Sequence, residues 1–408
     1  MGQQELIPHL FRTEYRKIVS VLCKRFGFDQ IEMAEDIASD TFLTATQTWG
    51  YNGLPSNPVA WLYFVAKNKA KNFLQRDAVF LEKIKPVLSR YTTESDEQEI
   101  DLSPENINDS QLQMMFAICH SSISSEAQIG LSLRILCGFG IGEIADAFLT
   151  SKETISKRLM RARDRLRTEK IKIEMPGPAQ IGHRLETVLT TIYLLFNEGY
   201  YSMSQDQTLR RELCLEAMRL CTMLIENKTT NQPSANALLS LMCFHASRFD
   251  ARLNKNGELI LYEDQDESLW NPELISKGGY FLNQAASGNK LSKFHLEAAI
   301  AYWSTKKTNT PEKWETVLQL YDQLLDLSYS PAAALNRLFA LSKVRGKKAA
   351  IREAENLNLH DDPFYFSLLG ELYLETNPPI ARSNFEKALV LTRTESGRQT
   401  IRRKLEKC

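Results

Sequence analysis

The sequence predicts an all-α protein that is built from several domains. Long stretches of the chain repeat apolar residues at spacings of three and four, and sustained alternation of apolar and polar residues is nearly absent. The length of 408 residues is too great for one ordinary core, and two breaks in the helical pattern divide the chain. One candidate exception to this pattern is GELILYEDQDESLW (257–270), a short apolar run that leads into an acidic loop.

The composition is typical of a soluble globular protein, because 43% of the residues are hydrophobic and 25% are charged. The 50 basic and 50 acidic residues give a formal net charge of zero, so the chain as a whole has no general attraction for polyanions. We expect no membrane span, since no apolar run approaches about 20 residues, and no secretion signal. The seven cysteines are scattered without a Cys-x-x-Cys spacing, which favours reduced thiols in the cytoplasm over disulfides or a zinc site.

Shifts in composition divide the chain into five predicted segments. Residues 1–78 form a first helical block, and residues 79–110 form a linker, because the acidic stretch YTTESDEQEIDLSPENINDS cannot bury enough apolar surface to fold alone. A second small helical block, 111–173, ends before the helix-breaking sequence EMPGP. A helical extension (180–290) and a periodic helical region (291–408) follow.

The C-terminal region repeats one helical pattern. Residues 330–357 and 362–391 are offset by about 32 positions, and each has a proline-led helix, a short break and a second helix with alanine near its end. Residues 293–327 are a third, degenerate unit of this kind. The period and the pattern resemble tetratricopeptide repeats, with generic helical hairpins as the alternative.

The stretch LTSKETISKRLMRARDRLR (149–167) predicts the second helix of a helix-turn-helix. Thr150 is the expected N-cap, and Glu153 completes a capping box. The inward stripe of this helix and the residues of the preceding short helix that meet it are Ile155, Leu159, Ala162 and Leu166, and Ile144, Ala145 and Phe148.

The outward face of the same helix is strongly basic. Nine basic residues and three acidic residues lie between positions 152 and 172, whereas a merely solvated face usually mixes the signs more evenly. Such a helix fits the major groove of DNA, where basic side chains bind phosphates and polar residues near the N-terminus reach base edges. The predicted DNA-binding residues are Lys152, Thr154, Ser156, Lys157, Arg158, Arg161 and Arg165.

A second helix with a basic and amide-rich face is predicted in LPSNPVAWLYFVAKNKAKNFLQR (54–76). Asn57 is the expected N-cap, and Pro58 occupies the first helical position. Amide and basic groups beside an aromatic ring can hold a nucleic-acid strand and stack on an extruded base, although faces of this kind are usually just solvated. The outward residues are Trp61, Lys67, Asn68, Lys71, Asn72 and Gln75.

The helix before it, DQIEMAEDIASDTFLTATQTW (29–49), has an acidic outward face. Asp29 and Glu32 are expected to cap it, and its inward stripe is Ile31, Ala34, Ala38, Phe42, Ala45 and Trp49. DNA would repel the outward residues Asp36 and Asp40, so together with Leu43 they suit docking on a basic protein.

The order of these parts resembles a bacterial extracytoplasmic-function sigma factor of the sigma-70 family. AEDIASDTFLTA resembles the region 2 segment that binds the clamp helices of RNA polymerase, NPVAWLYFVAKNKAKNFLQR the segment that melts and reads the −10 promoter element, and GEIADAFLTSKETISKRLMRARDRLR the region 4 segment that reads the −35 element. CHSSISSEAQIGLSLRILCGFGIGEIADAFL, YLLFNEGYYS and GELILYEDQDESLW are similar to the subgroup with a long tetratricopeptide-like C-terminal extension.

This resemblance implies a transcription initiation factor rather than an enzyme, with no cofactor. Its implied partners are the bacterial RNA polymerase core enzyme and promoter DNA, and the extension would regulate the factor in cis through contact with the sigma domains. A one-component helix-turn-helix regulator with a tetratricopeptide-like sensor domain is the alternative, but residues 1–78 would have no role in it.

No motif for catalysis or metal binding is recognised. The acidic group Glu263, Asp264, Asp266 and Glu267 lacks the central glycine and the later glutamate of a calcium loop, so docking of a basic helix is the better interpretation. His245 and His360 have no partner residues arranged for catalysis, which favours core or capping roles.

Overall fold

The computed structural model of the protein describes residues 3–84, 100–201, 207–252, 260, 262–357, 359–392 and 395–408. These residues form helices and their connections, and no β-strand occurs among them, so the predicted all-α class is confirmed. The chain forms two compact units, Met1–Leu224 and Ile225–Cys408.

Within its described residues, the first unit contains eight α-helices and most of a ninth, which ends at Glu226. They are α1 (Gln3–Phe26), α2 (Ile31–Asn52), α3 (Pro58–Ile84), α4 (Pro104–Ile118), α5 (Ser125–Leu131), α6 (Ile141–Ala147), α7 (Lys152–Thr168), α8 (Pro178–Tyr201) and α9 (Gln207–Glu226). A 3-10 turn, Phe28–Gln30, precedes α2, and a π-helical turn, Ser132–Leu136, follows α5.

The inward stripe of α2 is as predicted, because all six of its residues from Ile31 to Trp49 are buried. The predicted start of this helix is wrong. Asp29 lies in the 3-10 turn, and the N-cap residue of α2 is Gln30, whose side chain makes no capping hydrogen bond. Glu32 is therefore free to make a tertiary contact, which is described below.

The predicted start of α3 is confirmed. The Asn57 side chain accepts a 3.0 Å hydrogen bond from the backbone N–H of Ala60, and Pro58 is the first helical residue. Leu62 and Ala66 are buried on the inward side of the helix. The cap works because the Asn57 side chain satisfies a backbone donor that has no partner within the first turn.

The predicted acidic linker is shorter than its composition suggested. Ser103 caps α4 through its side chain, and Pro104 is the first residue of the helix. Ile107 and Ser110, which were assigned to the linker, are buried within α4. At the other end of the predicted linker, α3 continues to Ile84, so the first helical block does not end at residue 78 as predicted, and residues 85–99 lie outside the described residues.

The second unit is also helical in its described residues. Its helices are α10 (Pro233–Ala246), α11 (Phe249–Arg252), α12 (Pro272–Ala285), α13 (Lys293–Trp303), α14 (Pro311–Leu327), α15 (Pro331–Arg345), α16 (Lys347–Ala354), α17 (Pro363–Tyr373), α18 (Pro378–Leu391) and α19 (Glu395–Leu405). The described part of the acidic run, 260 and 262–270, contains two 3-10 turns, Tyr262–Asp264 and Glu267–Leu269.

The helices of the C-terminal region follow the predicted periodic pattern. The proline-led helices α15 and α17 are each followed by a second helix, α16 and α18, and all four contribute to one apolar core. Ala354 and Ala388, near the ends of the second helices, are fully buried there. Small side chains at these points let the helices approach closely.

Candidate nucleic-acid interface

The turn between α6 and α7 sets the start of the basic helix. Leu149 follows α6 with a φ of 50°, and the N–H groups of Leu149 and Thr150 donate to the carbonyls of Asp146 and Ala145. This is a Schellman-type helix end with a leucine where glycine is usual. Ser151 is the N-cap of α7, and its hydroxyl accepts a 3.1 Å hydrogen bond from the N–H of Thr154. The prediction that Thr150 caps the helix is wrong, because its N–H closes α6 instead.

The inward stripe of α7 is buried as predicted. Ile144 and Ala145 of α6 are also buried. Phe148 differs from its prediction: it is half-exposed, and the guanidinium carbon of Arg158 lies 5.6 Å from its ring centroid. This cation–π contact with Phe148 orients the guanidinium group of Arg158 on the outward face of α7.

The outward face of α7 is open. Lys152, Thr154, Ser156, Lys157, Arg161 and Arg165 are exposed, and Arg158 is half-exposed. A groove of about 470 Å³ lies beside this face and is lined by Thr154, Lys157, Arg158, Arg161 and Arg165 of α7, with residues 122–124 and Ala127 on its other side. Four cationic side chains around one groove have the positive charge and the hydrogen-bond donors that phosphate groups require.

The structure leaves most of the predicted face of α3 in solvent. Asn68, Lys71, Asn72 and Gln75 are exposed, and Lys67 is half-exposed. Trp61 is also half-exposed, because its ring packs edge-on against buried Trp49 with the centroids 5.3 Å apart. One edge of the Trp61 indole is therefore packed against the core, and the rest of the ring is left partly exposed.

Exposed apolar side chains near this face were missed by the sequence reasoning. Tyr51 at the end of α2 is 96% exposed, and Leu54 in the α2–α3 connection and Phe64 of α3 are also exposed. Exposed aromatic residues beside a basic surface provide stacking area for bases. The sequence signal that could have revealed Tyr51 was an aromatic residue at the start of the polar stretch YNGLPSN (51–57).

The acidic face of α2 presents Asp36, Asp40 and Leu43 to solvent, and Leu43 is 56% exposed. The ammonium group of Lys69 on α3 lies 3.8 Å from a carboxylate oxygen of Asp40. This is a long and exposed pair, which adds little stability. The carboxylates thus remain available to a basic partner.

The other carboxylates of α2 pair with region 111–173. Glu35 is buried, and its carboxylate accepts 3.0 Å hydrogen bonds from Arg134 and Arg163. Arg134 also donates a 3.3 Å hydrogen bond to the hydroxyl of Tyr15, and burial followed by the charge of Glu35 raises the pKa of Tyr15 to about 12. Sequence reasoning singled out neither Glu35 nor these arginines, since their positions 99 and 128 residues apart carry no local signal.

The first two helices after EMPGP, α8 and most of α9, belong to the same compact unit as the helical blocks 1–78 and 111–173. Arg184 and Arg219 donate hydrogen bonds to the carbonyls of Phe116 and Leu136. Arg16 of α1 forms a 2.7 Å ion pair with Glu216 of α9. Burial alone would raise the pKa of Glu216, but Arg219 and Arg16 together hold it below its usual value.

No group of residues suited to a metal ion occurs among the described residues. Asp266 accepts a hydrogen bond from the N–H of Ser268, and Glu263 pairs with Lys343 at 3.7 Å. His245 is half-buried, and the burial of its ring, with lesser effects of Arg248 and Arg252, lowers its pKa well below the usual value. In the described part of the chain, no helix combines the length and the apolar character that a membrane span requires.

Comparisons with known proteins agree with this arrangement at the N-terminus. Residues 10–79, within α1–α3, match the family model for sigma-70 region 2, and residues 184–286 match a family of unknown function, DUF6596. The chain is 31% identical over 388 residues to a protein of Rhizobium meliloti (strain 1021) described as uncharacterized, covering 93% of this chain and 90% of that protein. No solved structure matches the chain. The chain belongs to the same family as the Rhizobium meliloti protein, and its residues 10–79 carry a sigma-70 region 2 domain.

Proposed function

We propose that the protein is a sigma factor of the extracytoplasmic-function class, which directs core RNA polymerase to specific promoters and initiates transcription. The observation that carries this proposal is the pairing of a sigma-70 region 2 domain with a helix-turn-helix whose basic face is open. A regulator that binds DNA by itself needs only the second of these parts. The protein would act as a DNA-binding subunit without enzymatic activity or cofactor, in the cytoplasm.

The proposed −35 reader is the outward face of α7. Thr154 and Ser156 lie in its first turns, where a helix in the major groove meets base edges. The four cations that line the groove, Lys157, Arg158, Arg161 and Arg165, would hold the phosphates on either side. Lys152 would add a further phosphate contact at the start of the helix.

The proposed −10 reader is the outward face of α3. Lys67 and Lys71 would bind the backbone of a separated strand, and the amides of Asn68, Asn72 and Gln75 would bind its bases. Trp61 offers its exposed edge to this strand. Separated single strands favour this mode of binding, because unstacked bases expose both their faces and their edges.

The proposed polymerase contact is the acidic face of α2. Asp36 and Asp40 are exposed carboxylates around the apolar side chain of Leu43. Such a patch is complementary to a basic helical surface with an apolar centre. Each DNA reader can then bind weakly, because the polymerase supplies a high effective concentration of the other.

The neutral net charge supports a mode of action in which binding to DNA depends on the polymerase. Attraction to DNA without regard to sequence grows with the number of phosphates that a protein neutralises. A chain with balanced charges therefore spends little time on DNA unless the polymerase presents it there.

Residues 180–290 and the tetratricopeptide-like repeats of 291–408 would regulate this promoter-directed transcription in cis.

Transcription in vitro tests the proposal. Full-length protein is mixed with bacterial core RNA polymerase and a promoter library, and transcript starts are mapped. We expect starts at a defined promoter class and a reduction of about 10-fold or more with the Arg158→Gln/Arg161→Gln variant, since each lost phosphate or base contact costs about 1–3 kcal/mol. The Lys170→Gln/Lys172→Gln variant is the charge-matched control, because both lysines are exposed and lie outside the groove.

If the full-length protein starts no transcript and does not bind core polymerase, the sigma-factor proposal is wrong. Sequence-specific DNA binding without polymerase binding would then favour the one-component regulator.

A further inference from the structure

The basic helix α7 has a third face besides its buried stripe and its open groove. Arg163 and Arg167 are four residues apart, so they share one side of the helix. Neither lines the groove beside the outward face. The side chain of Arg163 is 12% exposed and that of Arg167 is 25% exposed, which shows that both are covered by other parts of the protein.

These two arginines bind the start of α2. Arg163 pairs with Glu35 at 3.0 Å and lies 3.8 Å from Glu32. Arg167 forms an ion pair with Glu32 and donates a 3.0 Å hydrogen bond to the carbonyl of Phe28, just before α2. Arg134, from the π-helical turn, completes the set at Glu35. Three cations of residues 111–173, the helix-turn-helix block, therefore meet two carboxylates of the region 2 domain.

The same carboxylates adjoin the proposed polymerase surface. Glu32 lies one helical turn before Asp36 and two turns before Asp40, so all three share a side of α2. A basic helix docked along this side would come within reach of Glu32. In the structure that position is taken by another basic helix, α7.

We expect the ion-pair contact between α7 and α2 to separate more readily than an apolar core contact would. The Nε atom of Arg163 is buried and has no hydrogen-bond partner among the described residues. A buried donor without a partner offsets part of the stability that its neighbouring ion pair provides. Glu32 remains 53% exposed, so a competing cation can approach it while Arg167 is still bound.

We propose that Arg163 and Arg167 form an intramolecular latch that competes with RNA polymerase for the acidic face of α2. In the latched state the helix-turn-helix block covers the start of that face and is held against the region 2 domain. Binding of polymerase displaces α7, which frees the two DNA readers to move apart. This inference rests on the proposed function for its polymerase partner, whereas the latch itself is tested within the protein alone.

The first measurement uses the full-length protein without polymerase. Hydrogen exchange of residues 29–40 and 160–168 is compared between the natural sequence, Arg163→Gln/Arg167→Gln, and the control Lys170→Gln/Lys172→Gln. We expect faster exchange at both segments in the first variant only. Equal exchange in all three proteins would overturn the latch, whatever the polymerase does.

The second measurement is the affinity for core RNA polymerase. Because the apparent affinity is reduced by the fraction of protein that is binding-competent, opening the latch should tighten binding about 5- to 30-fold. The control variant should bind as the natural sequence does. Equal affinity of the open variant would overturn the competition. If no protein binds polymerase although exchange responds to the arginine changes, the proposed function fails, and the competition fails with it.

Loss of two arginines beside buried Glu35 can also weaken the fold, so two further variants separate the effects. Arg167→Gln alone leaves the Glu35 contacts intact and should still increase exchange. The exchanged pair Glu32→Lys/Arg167→Glu should restore slow exchange, whereas Arg167→Glu alone should not. Failure of the exchanged pair to restore protection while thermal unfolding is unchanged would contradict a specific ion-pair latch.

Discussion

The hydroxyl of Thr191 on α8 donates a 2.7 Å hydrogen bond to the side-chain oxygen of Gln128 on α5, and both residues are buried. The amide nitrogen of Gln128 donates in turn to the carbonyls of His120 and Ile123, each at 3.0 Å. A helix that follows EMPGP is therefore joined through one glutamine to the loop between α4 and α5. Buried polar networks of this kind fix the relative position of the segments that they join.

Replacing Thr191 by valine should destabilise the first unit by about 1–3 kcal/mol, because the Gln128 oxygen loses its partner in a buried position. The variant Thr191→Ser retains the hydroxyl and should cost less. Urea unfolding monitored by circular dichroism checks both. Equal stability of the valine variant and the natural sequence would contradict a structural role for this bond.

Cutting the chain after 175 should destabilise the helical blocks 1–78 and 111–173, whereas cutting after 226 should not. Leu185, Val188, Leu189 and Ile192 of α8 are buried within the first unit, and each fully buried side chain of this size contributes about 1.5–3 kcal/mol. We expect 1–226 to unfold cooperatively and 1–175 to melt at a lower temperature or aggregate. Calorimetry of both fragments is the measurement. Identical melting would show that α8 and α9 are dispensable to the fold.

Two adjacent glycines of α12 should respond in opposite ways to alanine. A Cβ atom on Gly278 would lie 2.6 Å from a ring carbon of Phe244, but one on Gly279 would meet no atom within 4 Å. Gly278→Ala should therefore destabilise the second unit by about 1–3 kcal/mol through overpacking. Gly279→Ala should stabilise it by up to about 1 kcal/mol, because alanine favours the helix. Denaturant unfolding compares them, and effects of the same sign would contradict this account of the α10–α12 contact.

The second unit should lose stability as the pH falls below about 6.5, the ordinary pKa of histidine. Burial holds the pKa of His245 well below that value in the folded protein, so only the unfolded chain takes up its proton in this window. The resulting loss is at most about 1.4 kcal/mol per pH unit from this residue. Urea unfolding between pH 7.5 and pH 5 measures it. His245→Gln should reduce the slope, with exposed His360→Gln as the control; an unchanged slope in the first variant would refute the assignment.

Local features were predictable because their causes lie within one or two helical turns. The buried stripes of α2 and α7 follow from the spacing of apolar residues, and the Asn57 cap follows from an asparagine placed before a proline. The exposure of the basic side of α7 follows from the same geometry. For these features the sequence by itself was sufficient.

The tertiary structure decided the features whose partners are distant in the chain. Thr150 and Ser151 are both good caps, and only the closing bonds of α6 assign the role to Ser151. Glu32 was predicted as a cap, but it pairs with Arg167, 135 residues away. Periodicity shows that a charged residue faces outward and not which segment will cover it. For that reason the sequence predicted a basic helix and an acidic helix separately, and only the packing of the two blocks joined them.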